Sequence, residues 1–237
     1  MSRHRQDAAD SPAADPPADG ERFTLAGAVA GLASAALGIA GGFMEVLLTG
    51  PWPTASDTGY AAFLLANRTP VLAQSMLFVF SSAALIWFLG YVRSLLHRRE
   101  GEPGTLAGIA FAAGVLGAGL NILGQAAQIT LTLPSQAAVA PGVAAAVADL
   151  CLVTLALANL PAGVMFTAIA VVALRKQAFP APLGWVAALA AAASFVSTLS
   201  VIPDAGPLSP TGWLTTVLRL VPLVWYVPAA LFMLRRR

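Results

Sequence analysis

Three ionisable side chains lie inside long apolar stretches of the sequence: Glu45, Asp149 and Arg219. A charge near the middle of a bilayer costs at least about 2.5 kcal/mol, so such residues usually face the interior of a helix bundle and pair. We therefore expect Arg219 to pair with Glu45, Asp149 or both. Two carboxylates beside one arginine leave a local charge of about −1, which suits a proton or a cationic ligand.

Uncharged polar side chains occur in the same apolar stretches at helical spacing. Asn121, Gln125 and Gln128 stand at i, i+4 and i+7, which places them on one helix face. Arg219 and Tyr226 stand at i and i+7 and share a face of another helix. The predicted ligand-binding residues are Glu45, Gln74, Asn121, Gln125, Gln128, Asp149, Arg219 and Tyr226.

These residues support three hypotheses about function. The first is a pocket that binds or transports a small molecule, a lipid or a proton. The second is a membrane-embedded enzyme that uses Glu45 or Asp149 for acid–base chemistry. The third is a structural or partner subunit, because glutamine and asparagine also form ordinary hydrogen bonds between helices, and Arg219 can extend outward to the headgroups. A hydrated cavity favours the first hypothesis, and a dry, fully paired network favours the third.

Several other chemistries are excluded by what the sequence lacks. It contains no GxxxxGK[ST], GxGxxG, HExxH or GxSxG motif. Its one cysteine, Cys151, forms no internal disulfide and is predicted to be a buried small residue. The two histidines, His4 and His97, lie outside the apolar stretches, which excludes a histidine-ligated zinc or haem at membrane depth. We expect no metal, no cofactor and no nucleic-acid partner, and an enzyme is the less favoured class.

Composition identifies the elements that position these side chains. Of the 237 residues, 58% are hydrophobic and 10% are charged, against about 25% charged in a typical soluble domain, which excludes a soluble enzyme. A membrane-spanning helix needs about 20 mainly apolar residues. Six stretches qualify, at about 23–49, 70–92, 104–132, 143–174, 182–202 and 211–233. We predict an all-α, six-helix transmembrane domain over residues 23–237, in contact with the lipid bilayer, after a disordered tail over residues 1–22.

The distribution of basic residues predicts the orientation of this bundle. Eleven of the 13 lysines and arginines fall in the two terminal segments or in the second and fourth loops. By the positive-inside rule, both termini are cytoplasmic, and the protein is a multi-pass component of the inner (plasma) membrane. The three ionisable intramembrane residues then fall in the outer half of the bilayer, so any pocket faces outward.

Proline and glycine predict local features of the helices. Pro161 removes a backbone donor within the long fourth span and is expected to divide it, either as a kink or as a broken helix that lines a cavity. The pairs Gly27/Gly31 and Gly104/Gly108 allow close helix packing. They do not assign a dimer, and the oligomeric state stays open.

Two segments carry a resemblance to a known group of proteins. The first is WFLGYVRSLLHRREGEPGTLAG, residues 87–108, in which an apolar helix ends in WFLG and EGEPG precedes LAG at the next helix. The second is PAPLGWVAALAA, residues 180–191. Together with the six-helix layout, they resemble a group of uncharacterised multi-helix integral membrane proteins of actinobacteria. The resemblance implies membrane location and bacterial origin, and it brings no catalytic or binding residues with it.

Overall fold

A computed structural model describes residues 18–48, 59–133, 140–203, 205–210 and 212–235. Within these ranges the chain forms α-helices and no β-strand. The helices are α1 (Ala18–Leu48), α2 (Gly59–Ala66), α3 (Arg68–Glu100), α4 (Thr105–Leu131), α5 (Pro141–Leu157), α6 (Asn159–Lys176), α7 (Ala181–Thr198) and α8 (Trp213–Arg235), and a 3-10 turn (Leu199–Val201) follows α7.

Six segments of these helices are long and apolar enough to cross a membrane, which confirms the predicted all-α, six-span architecture. They are α1, α3, α4, the pair α5–α6, α7 with its 3-10 turn, and α8. Helix α1 already begins at Ala18, inside the stretch predicted as a tail, because a helix can continue beyond the apolar residues that cross the bilayer. Residues 1–17 of that predicted tail lie outside the described residues.

The spans pack as a ring around a central axis. Helix α1 packs on α3, α3 on α4, α4 on α6, α6 on α7, α7 on α8, and α8 returns to α1. Helix α5 packs mainly on α4. We call the end of the bundle where α1 begins and α8 ends the proximal end, and the opposite end, where α1 ends and α8 begins, the distal end.

Buried aromatic side chains fill the proximal half of the ring. The ring of Trp225 has centroid distances of 5.4 Å to Phe179, 5.6 Å to Phe166 and 6.2 Å to Phe88, and Tyr226 packs on Phe88 and Phe166. The indole Nε1–H of Trp225 donates a hydrogen bond of 3.1 Å to the carbonyl of Leu183. We call Phe88, Phe166, Phe179, Trp225 and Tyr226 the aromatic cluster.

The fourth span is divided, as predicted, but the break lies at Ala158, about one turn before Pro161. Proline lacks an N–H, and its ring clashes with the carbonyl four residues earlier, here that of Leu157, so the helix yields on the preceding turn. The side-chain Nδ2 of Asn159 donates to the carbonyls of Leu155 at 3.1 Å and Ala156 at 3.0 Å. The carbonyls of Leu155 and Ala156 in the last turn of α5 are therefore satisfied without water.

Helix α3 continues past the membrane-spanning length and is tied to α4. The carboxylate of Glu100 accepts hydrogen bonds of 2.8 Å from the backbone N–H groups of both Leu106 and Ala107, in the first turn of α4. Gly104 has φ +66°, and a Cβ there would collide with the ring of His97, so only glycine fits this turn. The α3–α4 connection is therefore fixed by side-chain and backbone contacts together.

Close packing of α1 on α3 depends on one of the predicted glycine pairs. A Cβ at Gly31 would lie 2.7 Å from the ring of Phe88, and one at Gly27 would collide with Tyr91. The pair therefore brings two helices of the same chain together. Around Gly108, by contrast, an added Cβ would meet nothing within 4 Å.

Candidate functional site

A cavity of about 680 Å³ occupies the distal half of the bundle. This volume lies within the range of about 300–1,000 Å³ that is usual for small-molecule pockets. Its walls come from α1, α3, α4, α5, α6 and α8, and none of the described lining residues belongs to α7. The five spans that contribute these helices thus all face the same space.

The cavity collects seven of the eight residues predicted from the sequence. They are Glu45, Gln74, Asn121, Gln125, Gln128, Arg219 and Tyr226. Both predicted helical stripes, on α4 and on α8, face inward as their spacing required. Their role in binding a ligand stays a prediction, but their placement around one space is a property of the structure.

Asp149 is the exception, and its predicted place in the pocket is wrong. Its side chain is exposed and does not line the cavity. Cys151, two residues later, is fully buried, with Sγ 3.3 Å from the carbonyl of Gly124. Side chains two residues apart in an α-helix point in directions that differ by about 200°. Asp149 therefore points away from the helix face on which Cys151 is buried. The helix face of Asp149 was therefore not predicted correctly from the sequence.

Several polar lining residues were missed by the sequence analysis. Ser34, Ser81, Ser82, Asn159 and Thr216 also face the cavity. A helical spacing signal was present for most of them: Ser81 and Ser82 follow Gln74 at i+7 and i+8, and Ser34 precedes Glu45 by 11 residues. Serine and threonine are so common in membrane helices that this signal did not separate them from packing residues.

Several polar groups deep in the cavity are paired with one another or with the backbone. Asn121 Nδ2 donates to Ser82 Oγ at 2.9 Å, which joins α4 to α3. Ser81 Oγ donates to the carbonyl of Ser34 at 2.8 Å, which joins α3 to α1. Asn159 caps the end of α5 as described above. This level of the cavity is an ordinary hydrogen-bonded network between helices.

The polar groups nearer the distal end have no such partners among the described residues. Gln74 Oε1, Gln125 Oε1 and Gln128 Nε2 are buried without a hydrogen bond, and so are Nε and Nη2 of Arg219. The three glutamines are only 2–3% exposed. The other unpaired buried side-chain atoms of the described chain are serine hydroxyls outside the cavity, at Ser75, Ser194, Ser197 and Ser200. The unpaired amide and guanidinium atoms thus all belong to one site.

The charges of the cavity balance differently from the prediction. Arg219 and Glu45 both line it and interact electrostatically, but no nitrogen–oxygen pair between them lies within 4.0 Å. Arg219 forms no ion pair with Asp149 either, since that carboxylate faces outward. With Asp149 outside, the formal charges of Glu45 and Arg219 cancel. Among the described lining residues the formal charge is therefore balanced rather than negative, and a preference for cations no longer follows.

The two ends of the cavity differ. At the proximal side it stops at Tyr226, which packs into the aromatic cluster. Toward the distal end, several lining residues are themselves exposed: Val46 at 53%, Trp213 at 67%, Val217 at 50% and Leu220 at 42%. A residue that both lines a cavity and meets the surroundings marks its opening. We call Val46, Trp213, Val217 and Leu220 the mouth.

No family model, curated protein or solved structure matches this chain. The resemblance noted in residues 87–108 and 180–191 therefore stays a prediction, and the site has to be interpreted from its own chemistry. Within the described ranges, no group of three or more histidine, cysteine, aspartate or glutamate side chains gathers in the way a metal site requires.

Proposed function

We propose that this integral membrane protein binds a small molecule in its distal cavity. The observation that carries the proposal is the convergence of unpaired, buried polar atoms from α3, α4 and α8 on one space. Gln74, Gln125, Gln128 and Arg219 supply them. A buried polar atom without a partner costs on the order of 1–3 kcal/mol, so four such side chains are expensive unless a ligand or water in the cavity engages them.

A purely structural network has less support than a binding site. The same bundle pairs deeper polar groups with one another, for example Asn121 with Ser82. Polar side chains that only hold two spans together thus find hydrogen-bond partners in this structure. The distal glutamines and Arg219 depart from that pattern. Donors and acceptors that converge on a mostly apolar pocket are typical of ligand recognition.

An enzyme has less support as well. The acid–base hypothesis named Glu45 or Asp149 as the reacting group, and Asp149 is exposed on α5, outside the cavity. Glu45 is then the one described carboxylate that lines the cavity. Among the described residues, one lining carboxylate without a second acid or an activated nucleophile beside it supports binding better than catalysis.

We further propose that the distal end faces away from the cytoplasm of a bacterial cell, with the chain in the plasma membrane. The described basic residues outside the membrane support this orientation, because most of them lie at the proximal end, at positions 93, 98, 99, 175, 176 and 235. The test is Asp57→Cys in a Cys151→Ala background. A membrane-impermeant thiol reagent should label intact cells; labelling only after the cytoplasm is opened would reverse the orientation.

The binding proposal is tested by filling the cavity. Gly42 lines the cavity, and a Cβ there would meet only Leu220, at an ordinary 3.7 Å, so Gly42→Leu extends a side chain into the space without an initial clash. Gly119→Leu is the matched control, because Gly119 is exposed, lies outside the cavity and has no neighbour within 4 Å of an added Cβ.

The full chain is placed in nanodiscs and exposed to dodecyl amphiphiles that differ only in their head: hydroxyl, carboxylate, phosphate, ammonium or phosphoethanolamine. Retention of one molecule per chain is measured by native mass spectrometry. At least one amphiphile should bind saturably to the wild type and to Gly119→Leu, and at least about tenfold more weakly to Gly42→Leu. Saturable binding to none of them, or equal binding by both variants, would contradict the proposed function.

A further inference from the structure

The unpaired atoms of Arg219 lie on one edge of its guanidinium. Nε–H and the adjacent Nη2–H point in the same direction and form a fork that matches two oxygens of a carboxylate or phosphate. Both nitrogens are buried and have no partner among the described residues. Because Arg219 lines the cavity, a ligand oxyanion is the group that this edge is shaped to receive.

Glu45 faces the same cavity from α1 with the opposite charge. It forms no hydrogen bond or ion pair with the described residues, and it does not approach Arg219 within 4.0 Å. Two opposite charges in a low-dielectric site, each without a contact partner, call for two opposite charges on the ligand. A ligand with only an oxyanion would leave Glu45 uncompensated, and one with only an ammonium group would leave Arg219 uncompensated.

The mouth adds a third requirement, because its side chains are apolar. Val46, Val217 and Leu220 are each 42–53% exposed. Leu220 is the eighth residue of α8, about 10 Å along the helix from its distal end and inside the sixth apolar span, so we expect the opening to reach hydrocarbon depth. A site for a water-soluble molecule would carry a polar rim. An apolar rim at this depth suits a hydrocarbon chain.

We propose that the cavity binds a zwitterionic, single-chain amphiphile, with its oxyanion on the Nε/Nη2 edge of Arg219, its ammonium group at Glu45 and its chain at the mouth. This inference rests on the proposed function and names the class of ligand. The glutamine amides then hydrogen-bond the remaining polar atoms of the head: Oε1 of Gln74 and Gln125 accepts, and Nε2 of Gln128 donates.

The first experiment compares heads within the amphiphile panel described above. Dodecylphosphoethanolamine, which carries both charges, should bind at least about tenfold more tightly than dodecyl phosphate, dodecanoate, dodecylammonium or dodecanol. Soluble methylphosphoethanolamine, which has the same phosphodiester head but no long chain, separates a membrane ligand from a water-soluble zwitterion. Binding of the soluble compound as tight as that of the amphiphile would overturn the assignment of the chain.

The second experiment removes one charge from the site. Glu45→Gln should weaken the binding of dodecylphosphoethanolamine at least about tenfold and leave the binding of dodecyl phosphate unchanged or tighter. The preference for the first ligand over the second therefore shrinks or reverses. Asp149→Asn is the matched control, since it removes a carboxylate that is exposed outside the cavity, and it should leave both affinities unchanged.

The third experiment tests the fork of Arg219. Arg219→Lys keeps the positive charge but loses the two-nitrogen edge of the guanidinium. It should therefore weaken the binding of dodecylphosphoethanolamine and of dodecyl phosphate alike. Any variant that is not monodisperse in size-exclusion chromatography is replaced by Gln128→Leu. This substitution should weaken the binding of the zwitterionic amphiphile without altering the charge balance of the cavity. A shift confined to the zwitterion in Arg219→Lys would contradict the placement of the oxyanion.

Failure of this inference is distinguishable from failure of the proposed function. If the carboxylate, ammonium or hydroxyl amphiphile binds as tightly as the zwitterion, and Gly42→Leu still blocks it, the cavity is a binding site with a different ligand class. If no amphiphile binds saturably, both proposals fail together.

Discussion

The proximal and distal halves of the bundle differ in how closely they are packed and in whether their polar groups are paired. The proximal half is filled by the aromatic cluster, and the indole N–H of Trp225 in this cluster is bonded to the carbonyl of Leu183. The distal half encloses about 680 Å³ and leaves amide and guanidinium atoms unpaired. Both halves are built largely from the same spans, so the difference lies in the residues at successive turns and not in the architecture.

Helix α8 illustrates this contrast within one element. It presents Thr216 and Arg219 to the cavity from its first half and Tyr226 from just past its midpoint, whereas Trp225 is fully buried among aromatic rings. The proximal half therefore has the close packing of a stabilising core. The distal half has a cavity and unpaired polar atoms, which lower stability but are typical of a binding site. Four substitutions separate these roles, in order of expected effect.

Trp225→Ala should be the most destabilising substitution. It removes the ring that contacts Phe88, Phe166 and Phe179 and leaves a void that neighbours cannot fill, which costs about 3–5 kcal/mol. The measurement is reversible unfolding in mixed micelles titrated with dodecyl sulfate. Trp213→Ala, at a site that is 67% exposed, is the control and should change the unfolding free energy by less than about 0.5 kcal/mol. Equal effects at the two positions would abolish the distinction between the halves.

Gly31→Ala should follow, with a cost of about 1–3 kcal/mol. Its Cβ would lie 2.7 Å from two ring atoms of Phe88, which is held in the aromatic cluster and cannot retreat freely. Gly108→Ala provides the comparison, because nothing lies within 4 Å of the added atom and alanine favours a helix by up to about 1 kcal/mol. Thermal unfolding followed by circular dichroism should therefore move in opposite directions for the two variants.

Gln125→Leu should stabilise the unliganded protein by about 1 kcal/mol. Oε1 of Gln125 is buried without a partner, so an apolar side chain of similar size removes a desolvation cost. The same change should weaken binding of the amphiphile that the wild type prefers. A loss of stability in micelle titrations would mean that the glutamine is a structural contact, and the contrast between the halves would then be incorrect.

Ser81→Ala should have the smallest effect, a loss of about 0.6 kcal/mol. The Ser81 hydroxyl donates to the carbonyl of Ser34 at 2.8 Å, and hydrogen bonds between membrane helices contribute about this amount on average. Together with Gln125→Leu, this substitution tests whether removing a paired polar group lowers the unfolding free energy while removing an unpaired one raises it. The same titration measures both, and a shared sign would refute the division into paired and unpaired levels.

Much of this organisation follows from local patterns in the sequence. Six apolar stretches predicted the six spans, because length and hydropathy alone decide whether a helix can cross a bilayer. Spacing at i, i+4 and i+7 correctly placed Asn121, Gln125 and Gln128 on one wall. Such inferences need only the geometry of a single helix.

What the sequence did not predict depends on contacts between helices. Asp149 lies outside the cavity because the face of α5 that turns inward is decided by the packing of α5 on α4. The missing contact ion pair of Arg219 and the unpaired glutamines depend on distances between spans, which no single helix encodes. The aromatic cluster is a further case, because Phe88, Phe166 and Trp225 lie on three helices far apart in sequence.

The two hydrogen bonds to Glu100 have a consequence for the entropy of binding. They hold the first turn of α4 against the end of α3, and those two helices carry all three glutamines of the cavity. Two walls are therefore preorganised before any ligand arrives. An incoming molecule has to order side chains and not helices, which spares much of the conformational entropy that flexible sites lose on association.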